Sequence, residues 1–226
     1  MPAFELAVQQ GAQMIEFDVR PTSDGQIIVF HDDTTERWNG RPQRVDQLLL
    51  NAVRRLNIGG AQVPTFDELC AWACSTDLLL NVELKVPYIE EAVAETIRCH
   101  QLQERVIVSS FSPLALHRMR RIVPELARGV LTSVRRTSAA LATRPLLLAQ
   151  LRRQAAQAWH PDWRLPQLTR MIERVRRAGF AVNVWTVDDP LVMRRLLELG
   201  VDGIMTNRPA RLREVQQQWA TERNRQ

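Results

Sequence analysis

The sequence predicts an α/β fold in which parallel strands are joined by helical crossovers, and three observations carry the prediction. Apolar runs of strand length alternate with amphipathic helical stretches nearly to the C-terminus. Gly179 and Gly200 each follow a helical run and precede the next strand, as helix-ending glycines do. The 226 residues, 45% of them hydrophobic, are enough to bury one substantial core, a length that a single-domain α/β barrel commonly fills.

The expected strands are Met14–Val19, Leu78–Lys85, Val106–Phe111, Ala127–Thr132, Ala158–His160, Ala181–Val187 and Gly203–Thr206. Helical patterns lie between them at Phe66–Cys74, Ile89–His100, Pro113–Ile122, Ser138–Gln154, Gln167–Ala178 and Pro190–Leu199, with a last helix near Pro209–Trp219. The chain opens directly in a helix, Pro2–Gln10, which ends at Gly11. A crossover helix with no strand before it is half a unit, so a closed eight-stranded barrel would lack its first strand. An open, doubly wound sheet accommodates the same strands, and the count alone leaves both architectures open.

One interruption breaks the alternation. Asp24-Gly25 is a strong turn signal and Gln26–Phe30 a short apolar run, which together read as a hairpin arm returning His31-Asp32 over the end of the strand it left. Residues Asp33–Thr65 then read as an irregular insertion with one helix near Val45–Leu56. Long loops at the C-terminal ends of strands are where function concentrates.

Composition excludes several classes. No apolar run approaches the roughly 18 residues that cross a bilayer. The net charge is +5, and its 30 basic residues are 29 arginines and one lysine, Lys85. The arginine groups (Arg118, Arg120 and Arg121; Arg152 and Arg153; Arg174, Arg176 and Arg177; Arg211 and Arg213) are spread over many helical stretches without interleaved aromatics. That is the pattern of solvated outer faces, not of a nucleic-acid surface. Cys70, Cys74 and Cys99 lack the spacing of a zinc site and read as free thiols of a reducing, cytoplasmic compartment.

Glu16 and Asp18 stand two apart in a strand and share a face, while Ile15, Phe17 and Val19 face helices. Two carboxylates on an inward face are costly unless a cation neutralises them. Oxygen ligands suit Mg²⁺ or Ca²⁺. Asn81, Glu83 and Lys85 repeat the pattern on the next strand: Glu83 offers a third carboxylate, and the Lys85 ammonium would face an anion held by the metal. A self-satisfied Glu-Lys pair is the plainer reading. His31, placed over such a site, is a candidate general acid or base. His160, at a strand end, is a further residue that could line it, while His100 and His117 read as surface residues. Trp185 alternates with Asn183 and offers a flat apolar wall to a substrate, or simply fills core.

With their flanks these residues resemble the glycerophosphodiester phosphodiesterase family. The matching stretches are Ala3–Gly25 (AFELAVQQGAQMIEFDVRPTSDG), Ile28–Asp32 (IVFHD), Val63–Leu69 (VPTFDEL), Leu80–Lys85 (LNVELK), Val106–Ser112 (VIVSSFS), Ala181–Val187 (AVNVWTV) and Gly200–Pro209 (GVDGIMTNRP), in register along essentially the whole chain. The resemblance implies one domain over residues 1–226, a TIM-type (β/α)8 barrel with a small insertion at about 33–65. It implies a divalent cation on Glu16, Asp18 and Glu83, Lys85 at the phosphate, and a small-molecule glycerophosphodiester cleaved to glycerol 3-phosphate and an alcohol.

Two departures stand out. The family's opening strand with its His-Arg-Gly motif, and the Pro-Glu-Asn-Thr motif after it, have no counterpart, so Met1 reads as an internal methionine. Asn207 stands where the family usually has Asp. The absent histidine is the acid-base partner of His31, and its loss predicts strongly reduced turnover. A sheet short of its first strand also predicts poor solubility or oligomerisation. Alternative readings are a phosphodiester-binding pseudoenzyme and a barrel lyase that forms a cyclic phosphate.

Overall fold

In the computed structural model, residues 1–134 and 144–225 are described. They fall into two compact units, one made of Met1–Leu6 and Gln13–Leu126, the other of Ala7–Ala12 and the chain from Ala127 onward. Helix α1 (Pro2–Gln9) contributes to both.

In the first unit, β1 (Met14–Pro21) pairs in parallel with β3 (Leu79–Leu84), and β3 pairs in parallel with β4 (Val106–Ser110). The expected hairpin arm is present as β2 (Ile27–Val29), antiparallel to β1 through Val19↔Val29. Ile15, Phe17 and Val19 on β1, and Leu80, Val82 and Leu84 on β3, are all buried. The Phe17 ring packs against Phe4 of α1 and against Phe66, the first residue of α4 (Phe66–Ala73). Thr65 and Glu68 start α4 with a reciprocal capping box, Glu68 N–H donating to Thr65 Oγ1 and Thr65 N–H to Glu68 Oε2. Helices α5 (Glu90–Cys99) and α6 (Pro113–Ile122) follow β3 and β4.

The insertion departs from expectation. The helix expected over Val45–Leu56 is broken into a 3-10 turn, Val45–Gln47, and a single turn of helix, α3 (Leu50–Val53), with extended backbone at Leu48 and Leu49. The hairpin turn breaks it. Ser23 N–H takes the Leu48 carbonyl, and the Asp24 carboxylate accepts from Leu50 N–H at 3.1 and 3.3 Å, capping the second piece from 26 residues away. A short helix that the sequence did not announce, α2 (Glu36–Asn39), precedes them. The insertion has a core of its own: Ile28 and Phe30 of the arm pack with Val45, Val53, Leu56 and Val63.

In the second unit, β5 (Ala127–Thr132), β6 (Ala158–Pro161), β7 (Ala181–Val184) and β8 (Gly203–Ile204) form consecutive parallel pairs. Helices α7 (Arg144–Arg153), α8 (Leu168–Arg177), α9 (Pro190–Glu198) and α10 (Pro209–Arg223) alternate with them. Residues 138–143 of the expected Ser138–Gln154 helix lie outside the described residues. Gly179 and Gly200 take φ of 85° and 68°, left-handed values that end α8 and α9 without a Cβ penalty.

Most arginines take the expected outer faces, but Arg20 and Arg128 are buried. No described helix is long and apolar enough to cross a membrane.

Candidate metal and phosphate site

Strand periodicity and register assemble the site. Asp18 and Glu83 face each other across the β1–β3 register, and Glu16 lies one pleat earlier on the same face as Asp18. One carboxylate oxygen from each of Glu16, Asp18 and Glu83 lies within 4.8 Å of the other two. Lys85 joins them. Its Nζ is 2.8 Å from Glu83 Oε1 and 3.1 Å from Asp18 Oδ1, and its side chain is only 8% exposed. The self-satisfied Glu-Lys pair and the acidic cluster are therefore both present, in one place.

The charges do not balance. Three carboxylates share one ammonium, and their protonation follows. Burial, then the Asp18 and Glu83 charges, push the Glu16 carboxyl up to about 8, with Lys85 opposing. Glu16 is nonetheless the exposed member of the cluster, beside half-buried Asp18 and buried Glu83, and solvent at its side chain opposes this rise. Burial and Asp18 also raise Glu83, against the pull of Lys85. Burial works against the charge on Lys85, yet Glu83 and Asp18 outweigh it and hold the ammonium above its usual range. A cluster that resists its own ionisation is set up to exchange protons for a cation. All-oxygen donors of this number fit a hard divalent ion.

His31 sits where the arm returns. Phe30 N–H donates to the Asp18 carbonyl at 2.9 Å, which ties the residue before His31 to the strand carrying two of the acids. Its ring is exposed, and Nδ1 lies 2.8 Å from Asp32 Oδ1. Arg20, missed by the sequence reading, is buried here: its Nε donates to the His31 carbonyl at 3.0 Å and its Nη2 pairs with Asp33. The signal was available. Arg20 continues the two-residue alternation of Glu16 and Asp18, so it belongs to the same face of β1.

Two candidates belong to the second unit. Trp185 follows the end of β7, half-buried, and its Nε1 donates to the His160 carbonyl at 2.8 Å. The expectation that His160 lines a site is corrected: it is fully buried, its Nε2 3.0 Å from Asn183 Nδ2, and its ring fills the space where Gly129 lacks a side chain. Burial alone drives its pKa down to about 3. His117 is exposed as expected. His100 is half-buried, with Nε2 2.8 Å from Asp67 Oδ1 and Nδ1 3.9 Å from Cys74 Sγ.

The sequence profile of the glycerophosphoryl diester phosphodiesterase family matches residues 1–211. A glycerophosphodiester phosphodiesterase of Caldanaerobacter subterraneus is 31% identical over 93% of this chain and 88% of its own. Among solved structures, an Oleispira antarctica phosphodiesterase, in complex with the product sn-glycerol-3-phosphate, superposes with a TM-score of 0.81 at 24% identity, over 94% of this chain and 89% of that one. The Agrobacterium tumefaciens glycerophosphodiester phosphodiesterase superposes with a TM-score of 0.75 at 27% identity, over 92% and 89%. These likenesses give the α/β fold its barrel class. The chain belongs to the glycerophosphoryl diester phosphodiesterase family, and with it to the phosphodiester hydrolases.

Proposed function

We propose that this chain hydrolyses glycerophosphodiesters to glycerol 3-phosphate and an alcohol, with a divalent cation, Mg²⁺ or Ca²⁺, on Glu16, Asp18 and Glu83. The observation that carries the reading is the convergence of these three carboxylates within 4.8 Å beside the chain's only lysine. A bound cation supplies charge neutralisation at the phosphoryl oxygens. Lys85, at the end of β3, offers its ammonium to a phosphoryl oxygen as a compact point charge. His31 takes or gives a proton at the scissile P–O bond, its Nε2 being the ring nitrogen left free of Asp32. Trp185, half-buried at the end of β7, offers an indole face suited to a small polyol or alkyl group. The three cysteines, all free thiols, support a reducing compartment such as the cytoplasm.

The test is hydrolysis of glycerophosphocholine in ¹⁸O-labelled water, titrated with Mg²⁺ and Ca²⁺, beside Glu83→Gln and His31→Asn. The expected result is cation-dependent release of glycerol 3-phosphate carrying ¹⁸O, reduced at least 100-fold in both variants. Turnover that ignores chelator and both substitutions contradicts the reading. A cyclic phosphate free of ¹⁸O replaces hydrolysis with internal attack.

A further inference from the structure

His31 is held at two points, by two residues that lie outside the acidic cluster. At the ring, Asp32 Oδ1 lies 2.8 Å from Nδ1, and the same carboxylate has Arg37 Nη1 3.9 Å from its other oxygen. At the backbone, Arg20 Nε donates to the His31 carbonyl at 3.0 Å, while Arg20 Nη2 reaches Asp33. Arg20 is buried and rooted in β1, whereas the His31 side chain is 67% exposed. An exposed imidazole on a returning arm has no packing to fix its ring, so its direction and tautomer depend on these contacts.

We infer that Asp32 and Arg20 are positioning residues for His31: Asp32 keeps the proton on Nδ1, and Arg20 clamps the carbonyl so that Nε2 is presented in one place. The inference rests on the proposed acid-base role of His31. A carboxylate accepts only, so the nitrogen beside it must be the one bearing hydrogen. Nε2 is then the lone pair that receives a proton from an attacking water, or, once protonated, the donor to a departing oxygen. Free imidazole favours the opposite tautomer, with its proton on Nε2, so Asp32 has a measurable task. The arginine fork explains the second contact: one guanidinium satisfies a carbonyl and a carboxylate at once, which an ammonium cannot do with the same geometry.

The experiment is ¹⁵N NMR of histidine-labelled protein at pH 9, where imidazole is neutral, with His31→Asn used to assign the His31 resonances. Asp32→Ala and Arg20→Lys are compared with wild type for tautomer ratio, kcat and KM. The expected result is a predominantly Nδ1–H His31 in wild type that shifts toward Nε2–H in Asp32→Ala. Both variants should lose about 10- to 100-fold in kcat, by analogy with the hydrogen-bond partners that orient metal-bound histidines, with KM changed less than twofold. Asp33→Asn, whose side chain is 77% exposed, releases Arg20 from its outer partner should Arg20→Lys fail to fold.

An unchanged tautomer ratio in Asp32→Ala overturns the inference, as does full kcat in these variants while His31→Asn is inactive. Full kcat in His31→Asn instead overturns the acid-base reading beneath it. The tautomer ratio is read whether or not the chain turns substrate over.

Discussion

Lys85 Nζ lies 2.8 Å from Glu83 Oε1, two residues back on its own strand, and 3.1 Å from Asp18 Oδ1 on the neighbouring one. The single lysine of the chain thus holds together the two carboxylates that the β1–β3 register places side by side, and leaves Glu16 outside the pairing. Removing one partner from a buried ion pair strands the other charge. Lys85→Met is therefore expected to lower the stability of the metal-free protein by on the order of 3 kcal/mol, a loss that millimolar Ca²⁺ or Mg²⁺ reverses. Urea denaturation with and without the cation checks this; equal midpoints in wild type and variant would count against it.

Glu16 gives the same cluster a pH dependence of definite sign. Its carboxyl, pushed up to about 8 by desolvation and by the Asp18 and Glu83 charges, stands above the 4.5 of an unperturbed glutamate. Between those values the folded state holds a proton that the unfolded chain has released, so metal-free stability falls as pH rises through about 4.5 to 8. Glu16→Gln should flatten that slope. Saturating Ca²⁺ should flatten it as well, because the ion takes the ionised carboxylate. Denaturation midpoints at pH 5 and pH 8.5 decide; a wild-type profile matching Glu16→Gln would refute the assignment.

His160 acts in the opposite direction at lower pH. Buried and depressed from 6.5 to about 3, it is neutral when folded, while the unfolded chain gains a proton below about pH 6.5. Stability present above that pH is lost as pH falls, by on the order of 3 kcal/mol at pH 4. His160→Gln should remove most of this acid sensitivity, as read by thermal melts at pH 4 and 7.

Gly129 and His160 should behave as a pair. A Cβ at Gly129 would stand 2.6 Å from His160 Cε1, closer than side-chain atoms pack. Gly129→Ala is expected to cost about 1–3 kcal/mol by overpacking, and markedly less where His160 has been shortened to Ala. A double-mutant cycle with no coupling would show that the two do not touch.

The three thiols are expected to react in a fixed order. Cys70 is buried, and burial with the Asp67 and Cys74 charges pushes its thiol up to about 12. Cys99 is exposed, but its thiol is raised by its surroundings and by a hydrogen bond to Glu95. Cys74 is exposed, its sulfur 3.9 Å from His100 Nδ1 and 3.6 Å from the His100 carbonyl. Titration with an aromatic disulfide, followed by peptide mapping, should find Cys74 first and Cys70 only on unfolding.

The features legible in the sequence were those fixed by local period. Two-residue alternation placed Glu16 with Asp18 and Glu83 with Lys85, and the Asp24-Gly25 turn with its apolar return foretold the arm that carries His31. What escaped depends on contacts distant in sequence. The Val45–Leu56 stretch has a helical pattern, but Asp24 and Ser23 capture Leu50 and Leu48 and break it. His160 reads as a possible site residue until Gly129, on the neighbouring strand, makes a slot for its ring. Arg20 was legible by the same alternation as its neighbours, yet its partners, the His31 carbonyl and Asp33, become visible only once the arm has folded back.

The proposed divalent-cation site on Glu16, Asp18 and Glu83 can be examined without substrate. Isothermal calorimetry of Ca²⁺ and Mg²⁺ binding at pH 7, in two buffers of different ionisation enthalpy, tests it most directly. One ion per chain is expected to bind with release of protons, and with an affinity at least tenfold weaker in Glu83→Gln. Binding of equal strength in wild type and Glu83→Gln, or no binding in wild type, would contradict it.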